Sequence, residues 1–313
     1  MTLRAAGGNE RKPCAVRVLL VKFAEMPSPE DNISAANELL KDCTVCPRKC
    51  RVDRTAGKKG YCGMTSDVVI SSVAPHFGEE PPLVGRYGSG TIFLCGCSLL
   101  CSFCQNYDIS HAANGTIYST QQMVNAMLHL ERCGCHNINF VTPTHFTPQL
   151  MMAVHAAREE GLKIPIVYNC GGYESLEMLR LLDGFVEIYM PDFKFASSEL
   201  AGRYCGAPDY PEVAKAALKE MRRQAGDLRI GEDGVAARGL LIRHLVMPGC
   251  VEDSKRVLDF IADEVSPHAY VNVMEQYHPC GEAYKTPEIN RPLSPGEFRQ
   301  AFDYAVSRGL RLA

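Results

Sequence analysis

The stretch "TIFLCGCSLLCSFCQNYDISH", Thr91 to His111, places four cysteines within ten residues. Three of them, Cys97, Cys101 and Cys104, have the spacing C-x₃-C-x₂-C. A structural zinc takes four ligands, and an iron–sulfur cubane used only for electron transfer takes four cysteines. Three thiolates this close together hold three irons of a cubane and leave the fourth open to a substrate or cofactor. The competing reading makes them small buried hydrophobes. Cys95 lies inside the preceding apolar run and reads as packing. Were it a fourth ligand, an electron-transfer cluster would be the better assignment.

A second set, Cys43, Cys46, Cys50 and Cys62, has the spacing C-x₂-C-x₃-C-x₁₁-C, with Gly57, Gly60 and Gly63 for turns. Such a set suits a metal knuckle, either zinc or an auxiliary iron–sulfur cluster. Arg48, Lys49, Arg51, Arg54, Lys58 and Lys59 surround it. They read as a solvated basic rim. A nucleic-acid-binding zinc ribbon is disfavoured, because Tyr61 is the one interleaved aromatic. Cys133 and Cys135 read as packing, and Cys14, Cys205 and Cys250 have no partner pattern. Cys280 falls near the expected site. His145 reads as a substrate contact or a satisfied polar group.

These sets must be positioned by a chain of 313 residues, with 46% hydrophobic and 22% charged. That composition is ordinary for a large core with a small appendage. Fifteen cysteines, an odd number clustered at two places, favour a reducing compartment and metal ligation over disulfides. The formal charge of −3 offers no footprint for nucleic acid or an anionic membrane surface. No apolar run reaches the roughly 18 residues of a membrane span. A cytoplasmic protein is expected, with an organelle-targeting segment as the open alternative at the basic N-terminus.

Residues 1–30 read as a loosely ordered arm. Residues 31–90 hold a helix over Asn32–Asp42, the cysteine-rich head and an approach segment rich in Gly, Pro and charge. From 91 to 313, six apolar strand runs (91–95, 137–142, 164–169, 185–190, 239–245 and 270–275) alternate with helical patterns. Ser119 with Gln122 and Ser294 with Glu297 fit capping boxes. Thr147 before Pro148 reads as a helix cap. Repeated βα units imply a parallel sheet, doubly wound or barrel-like, with its chemistry at the strand carboxyl ends.

C-x₃-C-x-φ-C, with Phe103 as the aromatic, resembles the signature of the radical S-adenosylmethionine (SAM) superfamily. "GEEPPLVGRYGSGTIFLCGCSLLCSFCQNYDIS", "NINFVTPTH", "IPIVYNCGGYE", "IYMPDFKF" and "GLLIRHLVMPG" are similar to the branch related to pyruvate formate-lyase-activating enzyme. The resemblance covers about residues 43–310 and implies an α/β fold, a partial (β/α)₆ TIM-like barrel. It implies that Cys97, Cys101 and Cys104 hold a [4Fe–4S] cluster that reductively cleaves SAM to a 5′-deoxyadenosyl radical. For the cofactor it implies Phe103, whose backbone lies near adenine. Thr142 and Thr144 stand where the family often has Gly-Gly-Glu. Asn169 and Cys170 lie near the ribose, and Asp192 and Lys194 form a D-x-K pair. His278 follows the sixth strand. Arg243 is expected at the cofactor carboxylate or the substrate, or in a structural ion pair. The implied partners are a one-electron donor such as flavodoxin or ferredoxin and a glycine of a glycyl-radical enzyme. Radical chemistry on a small molecule or peptide, and a non-catalytic iron–sulfur or zinc-ribbon module, are the alternatives.

Overall fold

The computed structural model describes Thr2 and residues 27–313. Cys14 and most of the expected arm lie outside the described residues. The strands are β1 Val68–His76, β2 Ser89–Leu94, β3 Thr116–Tyr118, β4 Ile138–Val141, β5 Ile166–Cys170, β6 Ile188–Pro191, β7 Arg229–Ile230, β8 Ala236–Leu245, β9 Tyr270–Met274 and β10 Arg311–Leu312. The helices are α1 Pro29–Glu38, α2 Pro81–Val84, α3 Tyr107–Ser110, α4 Thr120–Arg132, α5 Thr147–Glu159, α6 Leu176–Leu181, α7 Ser198–Cys205, α8 Tyr210–Ala225, α9 Val251–Phe260 and α10 Pro295–Ser307.

The sheet runs β10-β9-β8-β6-β5-β4-β2-β1-β3, with β7 paired to β8. Its central strands, β2, β4, β5, β6, β8 and β9, are parallel neighbours in chain order. Every residue of β5 and β6 is buried. A strand covered on both faces must be apolar throughout, which is why these runs do not alternate. β3 and β10 occupy opposite edges, so the sheet curls as a partial TIM-like barrel and does not close.

Local hydrogen bonding sets several helix ends where the sequence expects them. Ser119–Gln122 and Ser294–Glu297 form capping boxes. Other expectations need correction. The first helix starts at Pro29, because Ser28 caps it through Asp31, and it ends at Glu38 rather than Asp42. Thr147 is no cap; its hydroxyl turns inward to Pro143 O, Thr144 O and the Tyr168 hydroxyl, and a 3₁₀ turn over Thr144–Phe146 leads straight into α5. The approach segment, for which the sequence reading assigned no strand, is partly regular. It contains β1, nine residues antiparallel to β2 and β3, and the short α2. Gly and Pro at its ends masked a strand whose outer face is exposed.

Gly172, just beyond β5, has φ +76°, and a Cβ there would stand 2.2 Å from the Asp192 carbonyl oxygen. The bare backbone lets the β5 and β6 ends close on each other. Gly184 has a similar φ of +91° but open space around it. Gly184→Ala should therefore cost only the left-handed strain, about 1–2 kcal/mol. Gly172→Ala should cost about 3 kcal/mol or more, since overpacking adds to strain. Chemical denaturation of the two variants checks the difference, and equal losses would contradict the close approach.

Candidate active site

The carboxyl ends of the parallel strands open onto one cavity of about 380 Å³. The loop after β2 brings Cys97, Cys101, Phe103 and Cys104. Thr142 follows β4; Asn169, Cys170 and Gly171 close β5; Asp192 and Lys194 follow β6. Arg243 and Leu245 come from β8, and Met274 and Gln276 from the end of β9. The sequence reading missed the contribution of β1 and its following turn. His76, Gly78 and Glu79 also line the cavity, from a segment without a motif to flag it. His76 Nδ1 is 3.1 Å from Glu79 Oε1. Burial pushes the Glu79 carboxyl up, against the pull of Arg243.

The three thiols of the cluster loop are free and face this cavity. Leu100 in the left-handed region, φ 52°, helps fold the loop back on itself. The Leu99 N–H donates to Cys97 Sγ at 3.3 Å, and the Ser110 hydroxyl donates to Cys104 Sγ at 3.3 Å. Cys205 Sγ, at the end of α7, lies 3.3 Å from Cys101 Sγ. No spacing in the sequence links those two residues. Burial pushes the Cys97 thiol up to about 12. The bond to Cys205, then burial, pushes Cys101 well above its ordinary value. Burial also raises Cys104. Bare, these groups stay protonated; ionised, they need cations. Three sulfurs on one cavity, two of them already receiving donors suited to thiolate, fit a three-cysteine iron–sulfur cluster. Cys95 stands apart: it is fully buried, with its sulfur directed at Asn114 O.

Opposite the thiols lies a buried chain of charge. Arg243 Nε donates to Asp192 Oδ1 at 2.8 Å, and Arg243 Nη2 to Asn169 Oδ1 at 2.8 Å. Glu80 Oε1 stands 3.6 Å from Arg243 Nη1. Lys194 Nζ donates to Asp192 Oδ2 at 2.5 Å. Burial opposes ionisation of Asp192, but Arg243 and Lys194 overcome it and hold the carboxyl below its ordinary range. The guanidinium of Arg243 is thus ion-paired with Asp192 while it also lines the cavity. Tyr210, which the sequence did not single out, ties the strand ends together. Its hydroxyl accepts from the Lys194 N–H at 2.9 Å and faces the Gly171 and Asp192 carbonyls at 3.0 and 2.9 Å.

Other expected residues divide. Thr142 lines the cavity at φ 61°, a strained conformation for a β-branched residue, and its N–H donates to Asn169 O. Thr144 does not line the cavity; it is buried and donates to Glu174 Oε1 at 2.6 Å. His278 is exposed, outside the cavity, against Gln276 O. The chain turns outward after β9, and Gln276 takes the lining position. The Phe103 ring is wedged against Phe195, Tyr204 and Tyr277. His145 is buried behind the cluster loop, bonded to Cys95 O, and burial pushes it down to about 3, so it stays neutral.

The cysteine-rich head is bolted to this site. Arg48 Nε donates to Ser98 O at 2.8 Å, its Nη1 to Gly206 O at 2.6 Å, and its Nη2 to Cys205 O at 2.9 Å. Its guanidinium stacks over Tyr61, 4.1 Å from the ring centre. Arg54 is 1% exposed. Two of the six basic residues are therefore structural anchors, which corrects the expected solvated rim. Cys43, Cys46 and Cys62 are buried and Cys50 half-buried. Among the described residues no group of three or more His, Cys, Asp or Glu closes to single-ion distance.

Glu174 lies beneath Cys170, bonded to Thr144 and to the Tyr168 hydroxyl. Burial raises its carboxyl from 4.5 to about 7. The folded state then binds the proton more tightly than the unfolded state. Its contribution is full below pH 4.5 and is lost as pH rises toward 7. The loss is about 3 kcal/mol at most. Glu174→Gln should flatten the fall in stability across that window, as read by denaturation at stepped pH; an unchanged slope would contradict the assignment.

The description "Radical SAM superfamily" matches residues 91–232. A protein of Methanocaldococcus jannaschii, uncharacterized protein MJ0674, is 33% identical over 288 residues, covering 90% of this chain and 79% of its own. Among solved structures, SuiB of Streptococcus suis aligns with a TM-score of 0.47 at 15% identity, over 70% of this chain and 47% of SuiB. The chain thus spans about half of that protein's length. Methylornithine synthase (PylB) aligns with a TM-score of 0.46 at 15% identity, over 71% of this chain and 70% of that one. Residues 91–232, which begin in β2 and carry the three thiols of the strand-end cavity, thus form a radical SAM superfamily domain.

Proposed function

We propose that this protein reductively cleaves SAM at the cavity and uses the resulting radical to take a hydrogen atom from a substrate. The observation that carries the reading is the placement of Cys97, Cys101 and Cys104 on the cavity that Asp192 and Lys194 also line. Cys97, Cys101 and Cys104 would hold a [4Fe–4S] cluster, which would supply one-electron reduction of SAM when bound.

The chain's own residues do the rest. Neither Cys95, whose sulfur is directed at Asn114 O, nor Cys205, which pairs with Cys101, lines the cavity, and Cys170 lines it from the end of β5, outside the loop that carries the three sulfurs. The strained Thr142 carries a hydroxyl at the place where an ammonium would be received. Asn169 is held by Arg243, so its amide is oriented before a ribose arrives. The Lys194 ammonium, pinned by Asp192, sets a fixed positive field near the thiolates. Phe93, Leu94, Leu99, Leu245 and Met274 form apolar walls that keep water from a reactive intermediate. A one-electron carrier such as flavodoxin or ferredoxin is the fitting reductant. The sequence resemblance extends the reading to a glycine of a glycyl-radical enzyme as hydrogen donor, with a small molecule or another peptide as alternatives.

Anaerobically reconstituted protein given SAM and dithionite should release 5′-deoxyadenosine and methionine, and Cys101→Ala should release none. Equal release from both ends the reading. A cluster spectrum untouched by SAM would favour a non-catalytic electron-transfer module instead. For the glycine assignment, incubation with a candidate glycyl-radical enzyme should give the doublet of a glycyl radical in electron paramagnetic resonance.

A further inference from the structure

Arg54 presents a charge that the protein around it does not balance. Its Nε and Nη2 donate to Thr65 O at 3.1 and 2.6 Å, and its Nη1 to His145 O at 2.5 Å. All three bonds go to neutral carbonyls, and among the described residues no carboxylate pairs with it. A guanidinium stays charged in any protein environment. A buried charge without an opposite partner is strongly unfavourable.

The groups beside Arg54 are the head cysteines. Its charge acts on both Cys43 and Cys62. The four thiols act on one another as a ring: Cys46 feels the charge of Cys43 and Cys62, and both of those feel that of Cys50. Gly60 provides the cradle. A Cβ there would stand 3.0 Å from Cys50 Sγ, 3.7 Å from Cys62 Sγ and 4.0 Å from Arg54 Cδ. Two sulfurs and the arginine stem therefore meet where a side chain is missing. Four neutral thiols, or two disulfides, would leave Arg54 unbalanced. Four thiolates around a divalent ion, or around a cubane core of the same charge, carry the net negative charge that it requires.

We propose that Cys43, Cys46, Cys50 and Cys62 bind a second metal centre as four thiolates, with buried Arg54 as its built-in counter-charge. This centre is separate from the cavity cluster. Its mechanical output is the bracket formed by Arg48, which lies between Cys46 and Cys50 and grips the cluster loop at Ser98 and Leu99. The ring does not close to single-ion distance without metal. Loading either draws the sulfurs in around one ion or fills the ring with a cubane.

The test uses the full chain with Cys97, Cys101 and Cys104 all changed to Ala, isolated anaerobically, so that only the head set remains. Elemental and sulfide analysis should find either a single zinc, or iron with equal sulfide, per chain. Neither metal, or a head disulfide in mass spectrometry, overturns the proposal. In the same background, Arg54→Met should weaken metal retention about 10–100-fold in chelator competition, the usual effect of losing a ligand's partner. Arg54→Lys, which keeps the charge, should lose much less. Folding is checked by circular dichroism, and if Arg54→Met does not fold, the metal content and Arg54→Lys decide. A folded Arg54→Met with undiminished affinity, or Arg54→Lys as weak as a charge deletion, removes the counter-charge role.

Discussion

The carboxylate of Asp192, held between Arg243 and Lys194, organises the catalytic end of the fold. Each of its oxygens takes one cation, and the three groups come from the ends of β6 and β8. The pairing is buried, so removing one member strands the others; such losses run to about 3–5 kcal/mol. Its backbone matters as much. The Asp192 carbonyl packs on bare Gly172 and meets the Tyr210 hydroxyl, which locks β5 against β6. Asn169 is oriented by the same guanidinium. The cavity wall opposite the thiols is therefore a rigid electrostatic unit, set before any ligand arrives.

The thiol wall is rigid for a different reason. Its loop has little regular structure, and external groups hold it. Arg48 bonds to carbonyls of the loop and of the α7 end, while the Ser102 N–H donates to Tyr204 O. The head thus serves as a clamp on the cluster loop, and α7 as the surface clamped against. That arrangement gives the basic residues within the cysteine knot a structural purpose. Arg48 and Arg54 turn inward, while Lys49, Arg51, Lys58 and Lys59 remain exposed.

The base of the cavity adds a third element. β1 runs antiparallel to β2, so its end delivers His76 and Glu79 to the side away from the thiols. Glu80 beside them is buried, with one oxygen near Arg243 and the other unpaired. Three carboxylates, from Glu79, Glu80 and Asp192, therefore share the field of Arg243. Burial and the neighbouring Glu80 raise the Glu79 carboxyl against the pull of Arg243.

The sequence by itself determined what is local in the chain. The C-x₃-C-x₂-C spacing brings three thiols into one loop because a few residues cannot separate them far. The capping boxes at Ser119 and Ser294 involve partners three residues away, and the buried parallel strands declare themselves as unbroken apolar runs. Tertiary structure decided everything that depends on distant segments meeting. Cys205 reaches Cys101 across a separation of 104 residues, and Arg48 reaches Gly206 across 158. Tyr210, Glu174 and Glu79 have ordinary surroundings in sequence and acquire roles only when strand ends converge. His278 shows the converse: it sits in a family-like segment, yet the backbone turns outward before it and leaves it in solvent. Covalent proximity fixes which groups share a loop, whereas packing fixes which loops share a cavity, and only the first is written in spacing.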